Sequence, residues 1–306
     1  MPEHRLTHAV IALSGREILA AGTRLTLPIL QTLAGENRAA FRACGLLNYR
    51  RVYADMLDFF GAPPYDVIFH ETERQHAIFD IAVDVVMPEP VLISLYHFRE
   101  LDFYTYRHML LVFALSILIA RELIDDRAAL MQEIMAGPIH DIGKLCVPLP
   151  ILTKKTALTS SEIIHLRHHA LAGYVMLTHF FQDHEILAAR VARDHHERRD
   201  GSGYPTGTPI DNLMIDIIMV SDVYDALISP RPYRPVSYDN RTALEEITRQ
   251  AQAGIISQTV VRVLISLNRR SKPHFSCCTL SSEFRGQPPL GNLYGSMISG
   301  SVDHVV

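Results

Sequence analysis

From about residue 66 onward, apolar residues recur at helical spacing, in segments near 66–86, 104–124, 126–136, 160–179, 184–196, 213–228, 240–253 and 257–268. Prolines at 88, 90, 148, 150, 205, 209, 230, 232 and 235 punctuate these segments. The first sixty residues differ. AVIALSGREILAA at 9–21 reads as two short strands joined at Ser14-Gly15, and Thr26 before LPILQTLA suits a helix start with an early proline. The pattern predicts a small N-terminal α+β unit over 1–64, ending near the Ala-Pro-Pro loop at 62–64. A mainly α, helical-bundle domain over 65–270 follows. After Arg270 the chain is rich in Ser, Gly and Pro, and 271–306 reads as a flexible tail.

Composition narrows the class. A chain of 306 residues that is 48% hydrophobic and 20% charged can bury one sizeable core. A net charge of -4 argues against a partner that is a nucleic-acid polymer, which calls for a basic face. The longest apolar run, MLLVFALSILIA at 109–120, is too short to span a bilayer and reads as a core helix, so no membrane span is expected. The N-terminus MPEHRLTHAV lacks the pattern of a signal peptide, and the four cysteines lack disulfide or zinc-knuckle spacing. The chain reads as cytoplasmic.

The chemistry concentrates in histidines and carboxylates. His108, His140-Asp141, His168-His169, His195-His196 and Asp222 fall on separate predicted helices, flanked by apolar runs. Imidazole and carboxylate together suit iron, manganese or zinc, and a bundle can project such ligands inward to hold a dinuclear centre. In HDIGK at 140–144, helical geometry would put Lys144 one turn from both His140 and Asp141. An aspartate there can bridge two metals, and the ammonium can counter a phosphate oxygen. In DHHERRDGSGYP at 194–205 the adjacent histidines are expected to point to different sides of a helix end and reach two metals. Glu197 could orient a ligand histidine, and Asp225 reads as a local helix contact.

HDIGK, then HHERRDGSGYP, then SDVYDALISPRPYR at 221–234 together resemble the HD-GYP family of metal-dependent phosphohydrolases, over about Tyr104 to Leu267. The resemblance implies a helical HD-GYP-type bundle that hydrolyses cyclic di-GMP, with metals that are usually iron or manganese. It places metal ligands at His108, His140, Asp141, His169, His195, His196 and Asp222, with Asp141 as the bridge. His169 is preferred to His168 because the family ligand precedes a glycine, here Gly173, by four residues. Nucleotide contacts fall on Lys144, Tyr204, Arg231 and Arg234. The expected product is pGpG, with GMP from a second cleavage, and a hydroxide between the metals is the expected nucleophile.

The sequence also departs from the family. Members with three metals carry glutamate where Tyr104 stands here, so two metals are favoured, unless Glu100 or Asp102 compensates. Pro138 precedes HDIGK and is expected to kink a helix near the ligands. The alternatives are a phosphohydrolase for another cyclic dinucleotide, and a cyclic-dinucleotide receptor with weak or lost catalysis. The N-terminal unit reads as a module for a homodimer or a partner protein.

Overall fold

A computed structural model describes residues 4–35, 41–230 and 236–289. Its N-terminal stretch holds β1 (His4–Arg5), β2 (Val10–Ile11), β3 (Glu17–Leu19) and β4 (Arg24–Leu25), then α1 (Leu27–Gly35). β2 and β3 form the expected antiparallel hairpin with Val10 opposite Leu19. Gly15 sits in its turn at φ +82°, where a residue with a Cβ is strained. β1 pairs with β4. β5 (Ala43–Gly45) pairs with β6 (Val86–Pro88), so the early chain is stitched to residues well past 64.

The remainder is helical: α2 (Val52–Phe60), α3 (Asp66–Phe69), α4 (Thr72–Ala82), α5 (Glu89–Leu101), α6 (Phe103–Arg121) and α7 (Arg127–Ile134). Next come α8 (Leu149–Leu152), α9 (Ser160–Phe181), α10 (Leu187–Asp194), α11 (Leu213–Ile228), α12 (Asn240–Gln252) and α13 (Gln258–Leu267). Two findings depart from the sequence pattern here. The segment near 66–86 is two helices and a strand. α5 occupies a stretch where Pro88 and Pro90 read as breaks. Pro90 stands in the first turn, where a missing N–H breaks no helical hydrogen bond.

α6 is the axis of the core. Every residue from His108 to Ala120 is buried, and the helix packs between α5 and α11. By length and composition α6 could cross a membrane, and the 109–120 run is the interior of this 19-residue helix. Its apolar window is 83% buried inside the fold, so packing on all sides accounts for its composition. Leu6, Val10 and Leu30 join Leu110, Met176 and Leu264 in one continuous core.

The chain after Arg270 is docked as far as it is described. Cys278 is buried, and the Glu245 carboxylate on α12 accepts hydrogen bonds from the backbone of Arg285 (2.8 Å) and Gly286 (2.6 Å). These anchors are backbone groups, to which hydrophobic periodicity is blind.

Candidate metal centre

The site is assembled from five places in the chain. Asp102 caps α6, accepting from Thr105 N at 3.4 Å and from the Thr105 hydroxyl at 2.6 Å, and so sets the start of the helix that carries His108 inward. Thr159 and Glu162 form a reciprocal capping box at the start of α9, which carries His169. His140 and Asp141 lie between two 3-10 turns, Gly137–Ile139 and Ile142–Cys146, where the sequence reading places one helix. Pro138 sits in the first of these turns, which accommodates its missing N–H, and no helix is kinked. His195 and His196 follow the last residue of α10, and Asp222 comes from α11.

These seven side chains converge as two groups of ligating atoms: Asp141, His169, His195 and His196 in one, and His108, His140 and Asp222 in the other. Asp141 lies between them. Its Oδ2 is 3.4 Å from His108 Nε2 and 3.6 Å from His140 Nε2. Its Oδ1 is 3.3 Å from His169 Nε2 and 3.7 Å from His195 Nε2. Asp222 Oδ1 is 3.2 Å from His108 Nε2. His195 and His196 stand in the same group, not in two. Their rings are 4.0 Å apart, because the chain turns after Asp194 and folds both toward His169. His168 faces away, toward the stacked rings of His8 and His165.

The other ring nitrogens hold the imidazoles in place. His140 Nδ1 bonds the Gly137 carbonyl (2.8 Å), His169 Nδ1 that of Leu166 (2.6 Å), and His195 Nδ1 those of Val191 and Ala192 (3.1 Å each). His108 Nδ1 instead donates to Asp225 Oδ2 at 2.6 Å. Asp225 in turn accepts from the Tyr65 hydroxyl, and Ser229 joins the same network. Each ring thereby turns Nε2 toward the centre, the arrangement that outer partners impose on metal-binding histidines.

Burial dominates the electrostatics. It pulls His140 down to about 4 and His169 to about 3, and lowers His196 well below the usual range, so these imidazoles are neutral donors. Burial also disfavours charge on Asp141, but the Lys144 ammonium and the surrounding His140, His108 and His195 imidazoles outweigh it and hold the carboxylate ionised. Lys144 Nζ rests on Asp141 Oδ2. Among the described residues, buried His140 Nε2, His195 Nε2 and Asp141 Oδ1 have no hydrogen-bond partner. Leaving such atoms unpaired costs about 1–3 kcal/mol each, and cations between the imidazoles and the carboxylate would satisfy all three. The donor set therefore fits metal ions.

The loop after α10 closes over His196. Tyr204 stacks on the His196 ring at 4.7 Å between centroids, and the Arg167 guanidinium lies 4.9 Å over the tyrosine. Gly203 is required by close approach, since a Cβ there would stand 2.4 Å from Glu197 Cα and 2.5 Å from the His196 carbonyl. Among the described residues, the Glu197 carboxylate bonds no ligand histidine. Its Oε1 accepts from Thr206 N at 2.5 Å and pins the loop. Tyr104 lies parallel to His108 at 6.0 Å between centroids, while Asp102 is engaged as a helix cap and Glu100 is exposed. Arg231 and Arg234 lie outside the described residues.

Sequence reasoning missed the roles of Asp225, Tyr65 and Gly143. Asp225 stands three residues after Asp222 and so shares its helix face, a signal that was available. For Tyr65 there was none.

A family model described as an HD domain matches residues 95–259. The chain is 38% identical over 175 residues to the cyclic di-GMP phosphodiesterase PA4108 of Pseudomonas aeruginosa, covering 56% of this chain and 41% of that protein. It is 34% identical over 187 residues to a cyclic di-GMP phosphodiesterase of Thermotoga maritima, covering 58% and 48%. It is 36% identical over 138 residues to the 3'3'-cGAMP-specific phosphodiesterase 1 of Vibrio cholerae, covering 43% and 30%. In each case the match covers less than half of the relative's own length.

Proposed function

The chain belongs to the HD domain family, whose model spans more than half of it, and we propose that it is a metal-dependent phosphodiesterase that hydrolyses cyclic di-GMP. One observation carries this reading: the two oxygens of Asp141 face two separate groups of imidazole and carboxylate donors. His108, His140 and Asp222 would hold one ion and His169, His195 and His196 the other, with the Asp141 carboxylate available to both groups. The mixed nitrogen and oxygen donors suit iron or manganese. Tyr104, at the position of the extra glutamate, favours two ions over three. Bound there, the ions supply Lewis acidity and acidify a water.

The chain's own residues do the rest. Lys144, beside the bridge, counters charge on a phosphoryl oxygen. Tyr204 holds His196 in place and presents its edge to the nucleotide. Arg231 and Arg234 are assigned the second phosphate, which a guanidinium grips in a charge-assisted fork. The product is pGpG, and a second cleavage yields GMP. The similarity to a 3'3'-cGAMP-specific enzyme supports a second reading in which the substrate is another cyclic dinucleotide.

The test is turnover of cyclic di-GMP and 3'3'-cGAMP by protein purified without oxygen and loaded with Fe(II) or Mn(II), with metal counted on the same sample. Conversion of cyclic di-GMP to pGpG with about two ions per chain is expected. Asp141→Ala should abolish turnover and lose metal. A fully loaded protein that binds but never cleaves would replace the enzyme with a receptor.

A further inference from the structure

Next to the metal centre lies a cleft of about 570 Å³, between the β2–β3 hairpin, the end of α5 and the Lys144–Leu152 segment. The volume falls within the range of small-molecule sites. Its rim carries Ile11, Leu13, Leu101 and Leu149, all exposed, with Leu101 at 51%. Apolar side chains left in water around a concave surface mark a binding site more often than a free face.

The floor is polar and preorganised. His8 and His165 stack at 3.6 Å between centroids with planes 8° apart. Thr7 Oγ1 holds His8 Nδ1 at 3.0 Å, and the Cys146 carbonyl holds His165 Nε2 at 3.3 Å, so neither ring is free to rotate. Asp102 lines the cleft while capping α6, and it accepts only from Thr105 among the described residues. A carboxylate has about four acceptor positions, so capacity remains. Lys144 belongs to both places: it lines the cleft, and its Nζ rests on Asp141 between the two ligand groups.

We propose that this cleft is a guanine subsite, taking the half of a cyclic dinucleotide that is not being cleaved. This rests on the phosphodiesterase reading above. The aliphatic rim and the imidazole pair accept the flat faces of a purine. The Asp102 carboxylate accepts from the adjacent N1–H and N2–H of guanine, a donor pair that adenine lacks. Lys144 meets the phosphate that joins the two halves. The N-terminal hairpin thus supplies a wall of the substrate site, and Asp102 determines base specificity without touching the reacting atoms.

The chain has no tryptophan, so Leu149→Trp places a single indole on the rim. Its fluorescence would be titrated with cyclic di-GMP and cyclic di-AMP, in metal-free protein and by stopped flow in Mn(II)-loaded protein. Cyclic di-GMP should quench it, cyclic di-AMP should bind at least about tenfold more weakly, and adding Asp102→Asn should remove about tenfold of the guanine affinity. Asparagine still caps α6, so the helix start is kept. Discrimination between cyclic di-GMP and cyclic di-AMP should collapse in Asp102→Asn, a readout that a merely structural cap would not move. Leu13→Trp on the opposite wall serves as a second reporter, and Val83→Trp, which does not line the cleft, as a control. No quenching at either rim position, or quenching indifferent to Asp102→Asn, overturns the subsite even if the loaded enzyme cleaves cyclic di-GMP. Quenching without cleavage would overturn the enzyme reading and leave the subsite standing.

Discussion

Around His108, three carboxylates surround one imidazole. Burial alone would lower its pKa, but the Asp225 charge, with Asp141 and Asp222 as acceptors facing the ring, raises it well above the usual histidine range. In metal-free protein at neutral pH this ring is therefore protonated, while His140 at about 4 and His169 at about 3 are neutral. A metal ion needs the Nε2 lone pair, so loading must expel that proton, and affinity should rise with pH. Titration calorimetry with Mn(II) at pH 7, in two buffers of different ionisation enthalpy, should report about one proton released per chain. A buffer-independent heat would contradict it. Behind the same ring, Asp225→Asn removes the charge that steadies the imidazole and should weaken metal binding about 10–100-fold, read by competition with a chelating dye. An unchanged affinity would reduce Asp225 to packing. The ligands themselves were legible because each is a histidine or aspartate inside an apolar run. Tyr65 was not, since a tyrosine 160 positions from Asp225 leaves no local trace of its contact.

Among the described glycines, the closest backbone approach is at Gly143, where the 3-10 turn after Asp141 meets α9. A Cβ on Gly143 would stand 2.0 Å from the His169 carbonyl and 2.4 Å from Gly173 N. Both are backbone atoms, so no rotamer change relieves the overlap, and the two segments must move apart. Gly143→Ala should destabilise the protein by about 1–3 kcal/mol, lowering the melting temperature by several degrees, and should loosen metal by shifting His169 against Asp141. Gly35→Ala is the control, since its added Cβ meets nothing within 4 Å. Equal melting temperatures for the two variants would sink the argument. α6, α9 and α11 were legible because their apolar positions persist over many turns. α5 was hidden because a proline in a first turn and a proline that ends a helix look alike without the backbone. HDIGK misled for a related reason: a 3-10 turn and an α-turn bring neighbouring side chains together in much the same way, and only the hydrogen bonds distinguish them.

At the scale of the molecule, the first 64 residues share the core rather than forming one of their own. α1 and β3 pack on α9, the helix that carries His169, and β5 pairs with β6 beyond the expected boundary. Ile11 N and O meet Cys146 Sγ at 3.5 and 3.6 Å, two residues from Lys144. Removing 1–64 would expose α9 residues to water, strip the partner strand from β6 and free the turn that holds Lys144. Buried Leu30 and Leu33 alone would each withdraw about 1.5–3 kcal/mol of burial, a large fraction of a domain's net stability. A chain beginning at residue 65 should therefore melt at a markedly lower temperature or without a cooperative transition, and should bind Mn(II) more weakly than the full chain. Both are read by calorimetry on matched samples. If 65–306 instead melts cooperatively at the full-chain temperature with metal bound, the N-terminal unit is a separable module. The continuity of the core predicts the opposite: this unit is part of what shapes the site.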